Sequence, residues 1–426
     1  MKFKSLARWM AALAVTSGLA AASPFAQAAR QTITVASFPD LDRSAKAALE
    51  LWRRERPDVE VKIASLQYAD HHTAMTTVLA TGSGVPDVMA LDFRFLGKFA
   101  ESGGLTDLSR PPFNGMALAE RFVPYAFAQG INRNGQLVAM PTDIGPGTLL
   151  YRADLLHKAG VSEAELTRSW ESFIEAGKKI KAATGAYLLA DAADLRDILI
   201  RSGVQPGEGL YFDREGRVLV DSPRFVRAFE LGREVRRAGL DANAVNWTNE
   251  WTAGFRQGRI ATQMMGAWLV GHLKNWLAPD TRGLWRSASL PGGGHASYGG
   301  SFYAIPRLAA HKQAAWEFIL FMTARQDVQL NSLRVMDAFP ALRAAHDDPV
   351  MEEPLPFLGG QKARLLWREI AHQVPPIPVN RHDAMATDII RAEFERVISE
   401  GKDIGRALAD AKQLLERRTR RLRAQR

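Results

Sequence analysis

Ile33 and Val35 alternate with polar neighbours, and Val59, Val61 and Ile63 do so again. An extended chain turns every second side chain to the same face, so both segments read as strands buried on one side. Between them Ala45, Ala48, Leu49 and Trp52 recur at helical spacing, and Pro57 closes the segment. Strand, helix and strand within roughly thirty residues make a βαβ unit, which requires two parallel strands in one sheet with the helix packed on its face. The pattern then repeats: Asp70 can cap a helix that stops near Gly82, and the apolar run from Val85 to Leu91 follows as a short buried strand. A doubly wound α/β sheet is implied.

A chain of 426 residues exceeds what one hydrophobic core fills, so two domains are expected. After Leu137 to Met140, Pro141 and the cluster Gly145-Pro146-Gly147 break the regular pattern, and a fresh αβ series begins at Leu149. A first crossing between domains is placed there. In the second series Phe173, Gly177 and Ile180 share a helix face that stops at Gly185, while Ser222, Pro223 and Gly239 read as cap, first turn and terminator of another helix. The run Pro291-Gly292-Gly293-Gly294 precedes an apolar segment from Ser301 to Ile305 and a helix carrying Ala315, Phe318, Ile319 and Met322, which suits a second crossing strand. The expected division is discontinuous: residues 29–141 with about 297–345 in one lobe, and 142–296 with about 346–426 in the other.

Residues 1–28 follow a different logic. Lys2, Lys4 and Arg8 precede an apolar stretch from Trp9 to Ala22, and Ala26-Gln27-Ala28 supplies the small residues of a cleavage site. This is the layout of a secretory signal peptide; its apolar run is short of the roughly 20 residues a bilayer span needs. The chain has no cysteine, hence no thiolate metal site and no lipid-modified cysteine. Exported and unanchored, it is expected in a bacterial periplasm.

The formal net charge of +9 resides at the two ends, three units in the leader and six in the arginines of the tail, Arg417, Arg418, Arg420, Arg421, Arg423 and Arg426. The body between them is neutral, which removes the main support for nucleic-acid binding. The tail reads as the solvated end of a last helix.

No HExxH, GxxxxGK[ST] or GxSxG motif occurs, so the readily recognised metalloprotease, phosphate-loop and nucleophile-elbow chemistries are unsupported. The clusters Gly292-Gly293-Gly294 and Gly299-Gly300 lack dinucleotide-fingerprint spacing and suit turns or close backbone approach. His71-His72 and His295 have no carboxylate at metal-ligand spacing, and no metal is expected. Aromatic density stands out instead: Trp247, Trp251, Trp268, Trp276 and Trp285 are half of the chain's ten tryptophans. A flat indole suits a sugar ring, with apolar hydrogens on its face and hydroxyls around its edge. Asp92, Asp143, Asn246, Asn249 and Glu250 are candidates to orient those hydroxyls. Packing in the second domain is the competing use for each tryptophan. Gly266, read as a turn, tilts Trp268 toward a cleft edge, and Trp276 and Trp285 are assigned to packing.

Taken in order, several segments resemble the extracellular solute-binding protein family that serves carbohydrate importers: the opening Ile33-Thr34-Val35; GSGVPDVMALD from Gly82 to Asp92; GQLVAMPTDIGPGTLLY from Gly135 to Tyr151; RADLLHKAG from Arg152 to Gly160; Ser169 to Phe173; FRQGRIATQMMGAW from Phe255 to Trp268; and GGSFYAIP from Gly299 to Pro306. The resemblance runs from about Thr32 to Gly401. It implies an α/β, type II-like periplasmic binding protein of two lobes, each a sheet flanked by helices, joined by hinge strands, with the solute in the cleft between them. It implies ligand contacts at Phe38 and Pro39, Gln67 and Tyr68, Asp92, Asp143, Trp268, Gly300 and Ser301; Trp247 and Trp251 are added from the aromatic cluster. It further implies a monomer without catalytic residues or cofactor, a carbohydrate ligand, and the permease subunits of an ATP-binding-cassette importer as partners. Two other readings remain: the same fold holding a polyamine or other small ion, and a periplasmic glycosidase or lyase pairing Asp143 with Glu250.

Overall fold

The computed structural model describes residues 30–424; the signal peptide read at residues 1–28 and Arg426 of the tail lie outside the described residues. Among the described residues no helix is long and apolar enough to cross a membrane.

The opening alternation forms β1 (Gln31–Ser37) and β2 (Val59–Ser65), paired in parallel, with α1 (Leu41–Glu55) between them. The next unit adds α2 (Tyr68–Thr81) and β3 (Val88–Asp92), followed at once by α3 (Phe93–Ala100). Gln67, not Asp70, occupies the N-cap of α2, and Asp70 lies in its first turn. A carboxylate there still complements the helix dipole, which is why the acidic signal sits two residues inside the boundary. Gly82 ends the helix in the left-handed conformation, φ 70°.

Four further strands and a two-residue bridge complete the sheet system: β4 (Met140–Arg152), β5 (Thr262–Gly266), β6 (Trp285–Ala288), β7 (Ser297–Ala304) and β8 (Phe339–Pro340). The order is β2-β1-β3-β7-β4-β5, with β6 and β8 also paired to β4. The Pro141 and Gly145-Pro146-Gly147 cluster does not break the pattern, contrary to the sequence reading, but lies inside β4. Register shifts between Pro141 and Asp143 and between Ile144 and Pro146 absorb the residues that cannot serve the ladder. The first half of β4 pairs with β7 and β8; from Gly147 onward it pairs with β5 and β6. One strand therefore belongs to two sheets.

Side-chain alternation then sorts residues among the cores. In β3, Val88 and Ala90 enter the core beneath α1, whereas Met89 and Leu91 enter a smaller one with Leu96, Phe99 and Phe302. Helices thus cover both faces of the first sheet. A third core gathers Phe173, Ile180, Phe225, Phe229, Phe394 and Leu415. The α1 core does not stop at the first sheet but continues through Trp251, Phe255, Leu269, Trp285 and Trp367. Within β4, Leu149 and Tyr151 belong to one large core and Leu150 to the other.

Leu150 is fully buried, so Leu150→Ala leaves a cavity at the strand the two cores share. It is expected to cost about 2–5 kcal/mol of unfolding free energy, measured by urea denaturation.

Candidate functional site

Strand β7 lies between β3 and β4, and Ser301 is opposite Asp92 on one side and Asp143 on the other. Directly opposed residues turn their side chains to the same face. Three polar side chains contributed by segments distant in sequence therefore form one row. Gly300 comes within 3.1 Å of the Asp143 carbonyl at the position a Cβ would take, and its φ of 132° excludes most other residues. It contributes backbone and clearance.

Asp92 ends β3 and caps α3, accepting from the Arg94 amide at 2.9 Å and from the Tyr68 hydroxyl at 2.8 Å. Its own amide donates to Nε2 of His72 at 3.1 Å, while the other ring nitrogen of His72 donates to the Tyr68 carbonyl at 2.7 Å. His72 is thereby a neutral spacer, and His71 donates to the Ala90 carbonyl at 2.8 Å; both histidines are committed to the backbone. Among the described residues no group of three or more His, Cys, Asp or Glu side chains gathers as a metal site requires. Phe38 is buried beneath this cluster with Tyr68 edge-on at 5.6 Å, so it supports the site from below. Pro39 and Gln67 are exposed.

Burial pushes the Asp143 carboxyl up to about 7, and the nearby Asp92 carboxylate adds to the shift against the favourable bonds of Ser301. Asp92 is raised to about 6, again chiefly by burial, with the Arg94 amide and Tyr68 hydroxyl opposing. In both, the cost of burying the charge outweighs the bonds that the carboxyl receives.

The aromatic side of the site begins at Trp268, whose indole N–H donates to the Tyr298 carbonyl at 2.7 Å. A Cβ on Gly266 would come within 2.2 Å of that indole nitrogen, and one on Gly299 within 2.4 Å. Gly266 is the buried end of β5, and not the turn read from the sequence; its missing side chain makes the slot. Trp247 lies nearly parallel to Trp268, centroids 6.0 Å apart at 13°, and to Trp276 at 6.5 Å and 26°. His272 meets all three rings edge-on.

The structure corrects two tryptophan assignments. Trp251 is fully buried and donates to Gln263 at 3.1 Å, so it backs Trp247 from the core and presents no face to a solute. Trp276, assigned to packing, is 47% exposed and extends the aromatic surface. Trp285 is buried as read, bonded to Thr281 at 2.8 Å. The spacing Trp268, His272, Trp276 steps by four residues along one helical face, the signal that would have found the last two. The segment Leu273–Leu277 is a π-helical turn, which re-aims Trp276. Asn246 donates to Asp194 at 2.7 Å and is engaged, while Asn249 and Glu250 are exposed at the start of the helix Asn249–Arg256. Trp247 itself has φ 71°, a conformation bulky residues avoid.

A family model described as bacterial extracellular solute-binding protein matches residues 36–329. The lactose-binding protein of Rhizobium radiobacter is 26% identical over 372 residues, covering 83% of this chain and 84% of the relative. The arabinooligosaccharide-binding protein of Bacillus subtilis is 22% identical over 373 residues, covering 84% and 85%. Among solved structures, the ABC transporter associated binding protein from B. animalis subsp. lactis Bl-04, in complex with β-1,6-galactobiose, aligns with a TM-score of 0.73 at 22% identity over 90% of this chain and 96% of that one. The shared fold is the two-lobed α/β architecture of periplasmic binding proteins.

A raised carboxyl makes the folded state bind more protons than the unfolded chain between about pH 4 and about pH 7. In that window stability falls as pH rises, because the ionised form is the one burial penalises. Asp143→Asn removes this part of the penalty. Urea unfolding of the solute-free protein is expected to show a smaller loss between pH 5 and pH 8 than wild type, with the variant the more stable at pH 8.

Proposed function

Because the chain belongs to the bacterial extracellular solute-binding protein family, we propose that it is the solute-capture subunit of an ATP-binding-cassette importer, acting in the periplasm on a sugar or short oligosaccharide. The observation that carries this reading is the indole stack of Trp247, Trp268 and Trp276, with Trp247 and Trp276 exposed and Trp268 half-buried, beside the row Asp92, Ser301 and Asp143. Stacked indoles take the apolar face of a pyranose, and buried carboxylates accept from the hydroxyls around its rim. Relatives named for lactose and arabinooligosaccharide support the carbohydrate class.

In this reading residues 29–141 with about 297–345, and 142–296 with about 346–426, are the lobes that move, and β4 and β7 are the strands that flex between them. Tyr68, Asp92, Asp143, Gly300 and Ser301 serve one wall; Trp247 and Trp268 serve the other. A sugar touching both favours the closed form by its differential affinity, and the permease recognises that form. The solute leaves unchanged, without a catalytic step, metal or cofactor.

Binding should raise the thermal midpoint, since a ligand held only by the folded state stabilises it. The panel is lactose, β-1,6-galactobiose, maltose and arabino-oligosaccharides; a midpoint unmoved by every member would sink the carbohydrate reading. For the best binder, Trp247→Ala and Asp143→Asn are each expected to weaken affinity at least about tenfold in calorimetry, roughly one lost charged hydrogen bond or stacking contact. Hydroxyls donating to Asp143 favour its ionised form and lower its pKa from about 7. Affinity is therefore expected to rise with pH from about 5.5 to about 8, with proton release on binding near neutrality.

A further inference from the structure

Trp276 is a hydrogen-bond donor only, and its indole N–H points to Nδ1 of His272 at 3.1 Å. Nδ1 must therefore carry the lone pair. In a neutral imidazole the proton then sits on Nε2. The ring is edge-on to Trp247, Trp268 and Trp276 at 5.5, 5.4 and 5.7 Å, and a half-turn about its Cβ–Cγ bond would keep those contacts but put a C–H in place of Nδ1 and lose the bond from Trp276. Burial holds the imidazole below its ordinary pKa, with Asp40, Arg43 and Asp337 the charges that face it. Asp337 is itself taken by Lys274.

The protonated Nε2 faces Asp40, whose Oδ2 lies 3.7 Å away. Asp40 stands at the N-cap of α1, where an aspartate ordinarily accepts from the helix's first amides, yet its side chain makes no cap bond. Its backbone has instead a positive φ of 72°, and Arg43 lies 3.6 Å from the carboxylate. Trp247, on the other side of the imidazole, is held at φ 71°. Two non-glycine residues in costly conformations thus flank one histidine, and such outliers concentrate where a ligand is gripped. The 3.7 Å gap is too long for a direct hydrogen bond. One oxygen about 2.8 Å from each atom fits it.

We propose that His272 is a ligand-binding residue that, fixed as its Nε2–H tautomer by Trp276, donates to one solute hydroxyl which in turn donates to Asp40, so that a single hydroxyl ties the segment after β5 to the start of α1. This rests on the sugar-binding reading and adds a required feature of the solute: a hydroxyl, accepting and donating at once, next to the ring stacked on the tryptophans. An ether or deoxy position there loses half or all of the bridge. Trp276 is then a positioning residue for the imidazole as well as an aromatic surface.

The tautomer is testable without any ligand, by two-dimensional ¹⁵N–¹H NMR of the histidine rings in the full chain, assigned with His272→Gln. Protonation on Nε2 with a bare Nδ1 is expected; a proton on Nδ1 overturns the proposal. Trp276→Phe, which keeps the ring but not the N–H, is expected to give a mixture of tautomers. With the best binder of the sugar panel, His272→Phe should weaken affinity at least about tenfold with an unchanged ligand-free thermal midpoint, and His272→Gln, which restores a donor near Nε2, should recover most of it. Full affinity in His272→Phe while Trp247→Ala still binds weakly overturns this contact and leaves the site standing; full affinity in both removes the site as well.

Discussion

Everything at the site depends on β4 being shared by two sheets. Its first half is hydrogen-bonded to β7 and its second to β5 and β6, so the row of Asp143 and the slot of Trp268 are set by one continuous backbone. The register irregularities at Pro141 and Ile144 interrupt the ladder in the first half of the strand, where the pairing with β7 is made. The cores follow the same strand: Leu149 and Leu150, adjacent in the chain, are buried in different ones.

The site is maintained at a cost. Asp92 and Asp143 are kept in surroundings that disfavour their charges, Trp247 and Asp40 are held at positive φ, and Trp268 occupies room left by absent side chains on Gly266 and Gly299. The buried carboxylates and the two positive-φ backbones do not stabilise the empty protein. The stability that tolerates them comes from large buried side chains elsewhere, among them Trp251, Trp285 and Trp367.

Much of the architecture was readable because it rests on periodicity. The first βαβ unit, the helix stop at Gly82 and the buried strand ending at Asp92 each carry a local signal, and the structure has them within a few residues. Local signals misled where tertiary pairing overrode them. Pro141, Gly145, Pro146 and Gly147 read as a break, yet β7, β5 and β6 supply enough partners to carry the strand through. Of the candidate site, the motif residues Asp92, Asp143 and Ser301 were legible and fall in one row, while the orientation of the tryptophans was not legible. Trp251 is sent inward and Trp276 out, and only the four-residue spacing from Trp268 through His272 to Trp276 carries a hint of it. The pairing of Asp40 with His272 gave no signal, because what joins them is a 3.7 Å approach between segments more than two hundred residues apart.

The position of β7 has a consequence for the order of folding. It fills the place between β3 and β4, so the first sheet stays split until the chain has been made as far as Ala304. Before then the two halves present unpaired edges and have no reason to stay together. Contacts of such long range form slowly. The element that joins the two halves into one rigid body is therefore complete only when about seven-tenths of the chain has been made.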